Sequence, residues 1–139
     1  MGDAAPTPRA AAIVAAATAL LGVRFRLQGR APEHGLDCVG LAALAARAGG
    51  FRGEIPADYA LRGGDGARLI ARFDASGLAR AAIPAPGDLA LFATGPAQFH
   101  LAVLVPGGIV HADAGLRRVV ARPGPPPWPL LGAWRVGGE

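Results

Sequence analysis

The chain has 139 residues, 52% hydrophobic and 17% charged, which fits one globular domain over 1–139 and argues against a disordered chain. Its net charge of +4 comes from 14 basic residues, all arginine and scattered, and aromatic residues for base stacking are sparse, so no nucleic-acid partner is expected. One cysteine excludes an intrachain disulfide and a multi-cysteine zinc site, and no apolar run reaches the roughly 18 to 20 residues of a membrane span.

In chain order, the first element is the apolar run "RAAAIVAAATALLG". Thr7 supplies an N-cap, Pro8 a first-turn proline and Gly22 a stop, so a buried helix is expected. The run is similar to a signal-peptide core, but Asp3, two nearby prolines and the lone Arg9 ahead of it argue against one. Residues 23–35, "VRFRLQGRAPEHG", form a loop, extended at first and richer in Gly and Pro later. A second helix is expected over 38–48, with Leu41, Leu44 and the alanines giving it an apolar surface nearly all round, hence burial on most sides. Residues 51–64 are irregular, and Leu69, Ile70 and Phe73 fall at helical spacing within a third helix over 66–78.

Beyond Ile83 the period changes. "PAPGDLALF" is a turn followed by a strand, and "FHLAVLV", "GIVHAD" and "RRVVAR" are three more. "LLGAWRV" makes a fifth after the proline-rich connection "PGPPPWP". Helices first and adjacent short strands afterwards predict an α+β architecture with an antiparallel sheet.

Nucleophilic cysteine catalysis needs a thiolate, a base within hydrogen-bond reach and a group that orients the base. Cys38 opens the second helix, where free backbone N–H groups and the dipole favour the anion. By itself that helix favours a small buried, inert thiol over a nucleophile. Two histidines change that balance. Pro106–Gly107 is a strong turn pair, and a hairpin centred there sets Val105 opposite Gly108, Ala102 opposite His111 and His100 opposite Asp113. His100, His111 and Asp113 then share one face of the sheet, expected to look toward the helix that begins at Cys38. A mononuclear metal site built from the same four residues is conceivable, but nothing in their spacing favours it, and no cofactor is expected.

"LDCVGL", then "PGDLALF", then "HLAVLVPGGIVHA" resembles the NlpC/P60 cysteine peptidases. The opening "LGVRFRLQGRAPEHGLDCVGL" and the closing "LLGAWRV" are similar to small phage-type cell-wall peptidases, including those in tail modules of phages and gene transfer agents. The resemblance runs from the first helix to Val136. It implies a papain-like fold with N-terminal helices on an antiparallel sheet, Cys38 as nucleophile, His100 as general base and His111 as the residue orienting it. It also implies a peptidoglycan stem peptide as substrate, cut between D-γ-glutamate and diaminopimelate, with phage or gene-transfer-agent tail proteins as partners. Delivery to the cell wall would then follow within a particle or after lysis. The same superfamily also contains acyltransferases and amidases.

The resemblance assigns substrate contacts as well. Asp37 matches a position that contacts the free amine of the stem peptide, and its alternative role is a helix cap. Phe25 stands where the family has a tyrosine whose hydroxyl helps hold the oxyanion or substrate. Losing such a donor costs roughly two to three orders of magnitude in rate. Gln28 is a nearby candidate substitute donor, Asp113 is the carboxylate beside the histidines, and Val39 replaces the serine common after the cysteine. A weakly active structural tail or baseplate module with the same fold is therefore the alternative.

Overall fold

The structure is a computed structural model that describes residues 6–57 and 65–137. Helix α1 (Pro8–Ala19) starts as its capping residues dictate: the Thr7 side chain accepts the Ala10 N–H at 3.0 Å, and Pro8 occupies the first turn. It ends at Ala19, three residues before Gly22, whose positive φ of 89° turns the chain. A pair of two-residue strands, β1 (Arg30–Ala31) and β2 (Gly35–Leu36), leads into helix α2 (Cys38–Ala48). Cys38, Val39, Leu41 and the alanines at 42, 45 and 46 are buried, as an apolar surface on most sides requires. Helices α1 and α2 pack closely: a Cβ on Gly49 would overlap Ile13 of α1.

Helix α3 (Gly66–Asp74) stops four residues earlier than the apolar spacing predicts, because Ala75 caps it and the Ser76 hydroxyl donates to the Phe73 carbonyl at 2.6 Å. The irregular reading of 51–64 is met over 51–57, and its remainder lies outside the described residues. After β3 (Ala79–Arg80) come β4 (Leu89–Gly95), β5 (Gln98–Val105), β6 (Gly108–Asp113), β7 (Arg118–Pro123) and β8 (Leu130–Arg135). These six strands form one antiparallel sheet in the order β3-β8-β4-β5-β6-β7. The expected α+β architecture is thus the observed one.

The sheet has two distinct faces. Leu89, Leu91, Leu101, Val103, Val110 and Ala112 join the main core with α1 and α2, while Ala90, Phe92, Ala102 and Ile109 form a second cluster under Leu104 and Trp128. Polar staples fix the far edge. Arg135 forks onto Asp88 with two contacts of 2.8 Å, and the Trp134 indole N–H donates to Asp74 at 2.9 Å while its ring packs on Phe73. Asp88 is buried and also accepts the Ala85 N–H, so the aspartate of "PGDL" organises the turn into β4. Among the described residues no helix is long and apolar enough to cross a membrane.

Candidate active site

The β5–β6 hairpin has the expected turn and register. Gly107 takes φ +81°, and Val105 pairs with Gly108, Leu104 with Ile109 and Val103 with Val110. Alternation then places His100 and His111 on one face, and the two rings touch: His100 Nε2 lies 2.8 Å from His111 Nδ1. That face is the one carrying Ala102 and Ile109, turned away from α2, and not the helix-facing side that the sequence led us to expect. Cys38 nevertheless shares a site with the histidines. It lines one cleft of about 210 Å³ with His100, His111, Asp113 and Phe25.

The wall that the sequence left unassigned is Trp128. Its ring stands edge-on to His100 at 5.4 Å, to His111 at 5.8 Å and to Phe92 at 5.8 Å, with the Arg122 guanidinium 6.0 Å above its centroid. The usable signal was one tryptophan held among five prolines and a glycine, "PGPPPWP", just ahead of the last strand. The proline rings fix φ and carry the indole back over the sheet.

Electrostatics modify the expectation for the cysteine. The helix start does act on Cys38 through the Val39 amide, and the Leu101 amide of β5 works in the same direction. Burial outweighs both: only 2% of Cys38 is exposed, and with a smaller contribution from the Asp37 carboxylate its thiol is pushed up to about 12. Burial pushes His100 down to about 4, helped by its neighbour His111 and opposed by Asp113. His111 is lowered too, first by burial and then by Arg122, against the pull of Asp113. The resting site therefore holds a neutral thiol and two neutral imidazoles.

The contact between the two imidazoles is compatible with one arrangement of protons. With the proton of His100 on Nε2, donated to His111 Nδ1, His100 Nδ1 keeps its lone pair. No hydrogen bond links Cys38 to His100 among the described residues in this resting geometry.

The remaining sequence candidates divide. Asp113 lines the cleft and also accepts the Gly115 and Leu116 N–H groups at 2.8 and 3.2 Å. Phe25 lines it with a ring that has no donor. Asp37 does not line it: the carboxylate is buried, caps α2 through the Gly40 N–H (2.9 Å), accepts the Gln28 N–H (2.9 Å) and pairs with Arg30 (2.7 Å). A buried carboxylate with three donors acts as a structural cap, the alternative role the sequence offered for it. Gln28 is likewise not in the cleft. It is exposed, at φ +62°, and engages Asp37 through its backbone. No group of three or more histidine, cysteine or acidic residues among the described residues is arranged to hold a metal ion.

No family model matches the chain, and no curated protein matches it. Solved structures do. NlpC1 from Trichomonas vaginalis superposes with a TM-score of 0.69 at 20% identity, covering 96% of this chain and 46% of that one. The NlpC/p60 domain of the peptidoglycan hydrolase SagA gives 0.58 at 24% identity, over 82% of this chain and 88% of that one. The P60 domain of an antigen from M. avium subspecies paratuberculosis gives 0.62 at 17% identity, over 94% and 96%. The chain spans about half the length of the Trichomonas protein. At these identities the likeness shows the fold, which is the papain-like α+β fold of NlpC/P60 domains.

Proposed function

We propose that the chain is a cysteine peptidase that hydrolyses peptidoglycan stem peptides at the bond between D-γ-glutamate and diaminopimelate. The observation that carries this reading is the single cleft in which Cys38 meets a hydrogen-bonded His100–His111 pair, closed by Trp128. The fold likeness to the NlpC/p60 domain of a peptidoglycan hydrolase supports it.

His100 Nδ1 takes the thiol proton as the Cys38 sulfur attacks the amide carbonyl, and His111 Nδ1 accepts the Nε2–H of the imidazolium so formed. The carbonyl oxygen becomes an oxyanion. The Cys38 N–H faces it, since the first residue of a helix has no intrahelical acceptor. Collapse expels the amine with the proton from His100 and leaves a thioester. Water, deprotonated by His100, releases the acid and restores the thiol. In the substrate-free site, burial raises the Cys38 thiol and lowers His100, and both shifts disfavour a preformed ion pair. On this reading a phage-like tail carries the domain to the wall.

Defined muropeptides with product identification by mass spectrometry test the proposal: wild type gives the two fragments, and Cys38→Ala gives none. Equal cleavage by that variant sinks the assignment. The specific observations favouring a weakly active tail module are the missing hydroxyl at Phe25 and the elevated Cys38 thiol. Wild type that yields no product across wall chemotypes decides for that module.

A further inference from the structure

Beside the cleft lies a second concavity of about 370 Å³, lined by Arg24, Phe25, Arg26, Leu27 and Arg117. Phe25 is the wall it shares with the cleft of Cys38. Its construction is fixed by the backbone. Residues 22–25 run beside the start of β7, with Gly22 N–H to Val119 O at 2.9 Å, Val119 N–H to Val23 O at 2.8 Å and Phe25 N–H to Arg117 O at 2.9 Å. Their other side is held by Leu36, whose N–H donates to Arg24 O and whose carbonyl accepts from Arg26 N–H. In such an extended segment residues two apart share a side, so Arg24 and Arg26 project together, and Arg117, at φ +64°, joins them.

Three of the described arginines are neutralised by a neighbour and these three are not. Arg30, Arg80 and Arg135 each have a carboxylate, from Asp37, Asp74 and Asp88. The side chains of Arg24, Arg26 and Arg117 are exposed and make no hydrogen bond or ion pair among the described residues. Three like charges around one concavity repel, and an anion there relieves the repulsion. A guanidinium fork suits a carboxylate in particular, because two N–H groups match its two oxygens.

We infer that this concavity is a carboxylate-binding subsite for the peptide held in the cleft. The inference rests on the peptidase reading above. A γ-linked glutamate keeps its α-carboxylate free and diaminopimelate carries further ones, so anionic groups flank the scissile bond. A peptide lying across Phe25 presents one of them to the arginines, while Phe25 and Leu27 give the site an apolar floor.

The test measures binding of stem peptides to full-length Cys38→Ala protein by titration calorimetry, using the free-carboxylate form and its amidated counterpart. The free form binds about tenfold more tightly, and the preference shrinks with salt, as exposed charge pairs require. Replacing Arg24, Arg26 and Arg117 together by Gln reduces the preference to within about twofold, with melting checked by circular dichroism. Equal binding of the two peptides, or an undiminished preference in the triple variant, overturns the subsite. A poly(glycerol phosphate) chain that displaces the peptide at lower concentration also overturns it, assigning the arginines to a wall polymer. Cleavage by wild type is scored separately. Carboxylate-selective binding without cleavage defeats the peptidase reading alone, and cleavage with equal binding defeats the subsite alone.

Discussion

Asp37→Ala separates two roles that one carboxylate can have beside a nucleophile. In the structure Asp37 caps α2 through the Gly40 N–H, and loss of such a cap costs about 1 kcal/mol. The same carboxylate holds the Gln28 N–H and Arg30, contacts that contribute about 1 to 2 kcal/mol together once the 41% exposure of the Arg30 side chain is discounted. The variant should therefore lose about 2 to 3 kcal/mol, a fall in Tm of about 6 to 12 °C for a domain of this size. Asp37→Asn retains an acceptor for Gly40 and should recover about 1 kcal/mol of this. Thermal denaturation by circular dichroism gives the stability, and muropeptide cleavage below the Tm gives kcat and KM. A Tm unchanged in Asp37→Ala together with a large rise in KM would refute the cap and restore the amine-contact role.

Three further outcomes follow from the cleft. With its thiol near 12, substrate-free Cys38 should react with iodoacetamide at pH 7 roughly 10³-fold more slowly than a free cysteine thiol, its rate still climbing beyond pH 9; a plateau by pH 8 contradicts the burial argument. His100 has a folded pKa below its unfolded value, so its neutral form is favoured in the fold, and stability is lost as pH falls from about 6.5 toward 4. That loss amounts to about 3 kcal/mol, and urea titrations should show it flattened in His100→Gln. Trp128→Ala exposes both imidazoles, so the acid limb of the cleavage profile should move up toward pH 6.5 while Trp128→Phe stays near wild type; identical limbs in all three proteins argue against the indole as the desolvating wall.

The sequence made visible what local rules determine. Thr7–Pro8 placed the start of α1, and Pro106–Gly107 set a register that brings two histidines eleven residues apart into contact. The two-residue strands β1, β2 and β3 were not legible, being too short to show a period. The histidines' shared side followed from alternation, but which side faced α2 did not, because both faces of this sheet carry apolar residues and form cores. The cysteine illustrates a different limit. Its helix-start position is written in "LDCVGL", yet the burial that outweighs it is a product of the tertiary packing and has no local signature. Trp128 was missed because its placement depends on the path of a connection with no period at all.

That connection has a consequence of its own. Five prolines among residues 123–129 leave the chain few conformations to lose, so the indole is in position before any peptide arrives. Its two ends are tied into the sheet, Pro123 paired with Gly108 and the Pro129 carbonyl accepting the Ala93 N–H, while the stretch 125–128 between them makes no ladder contact. The length of that middle stretch and its one aromatic side chain can therefore change without disturbing strand pairing. The shape of the cleft, and with it the choice of substrate, is thus separable in evolution from the fold that carries the nucleophile.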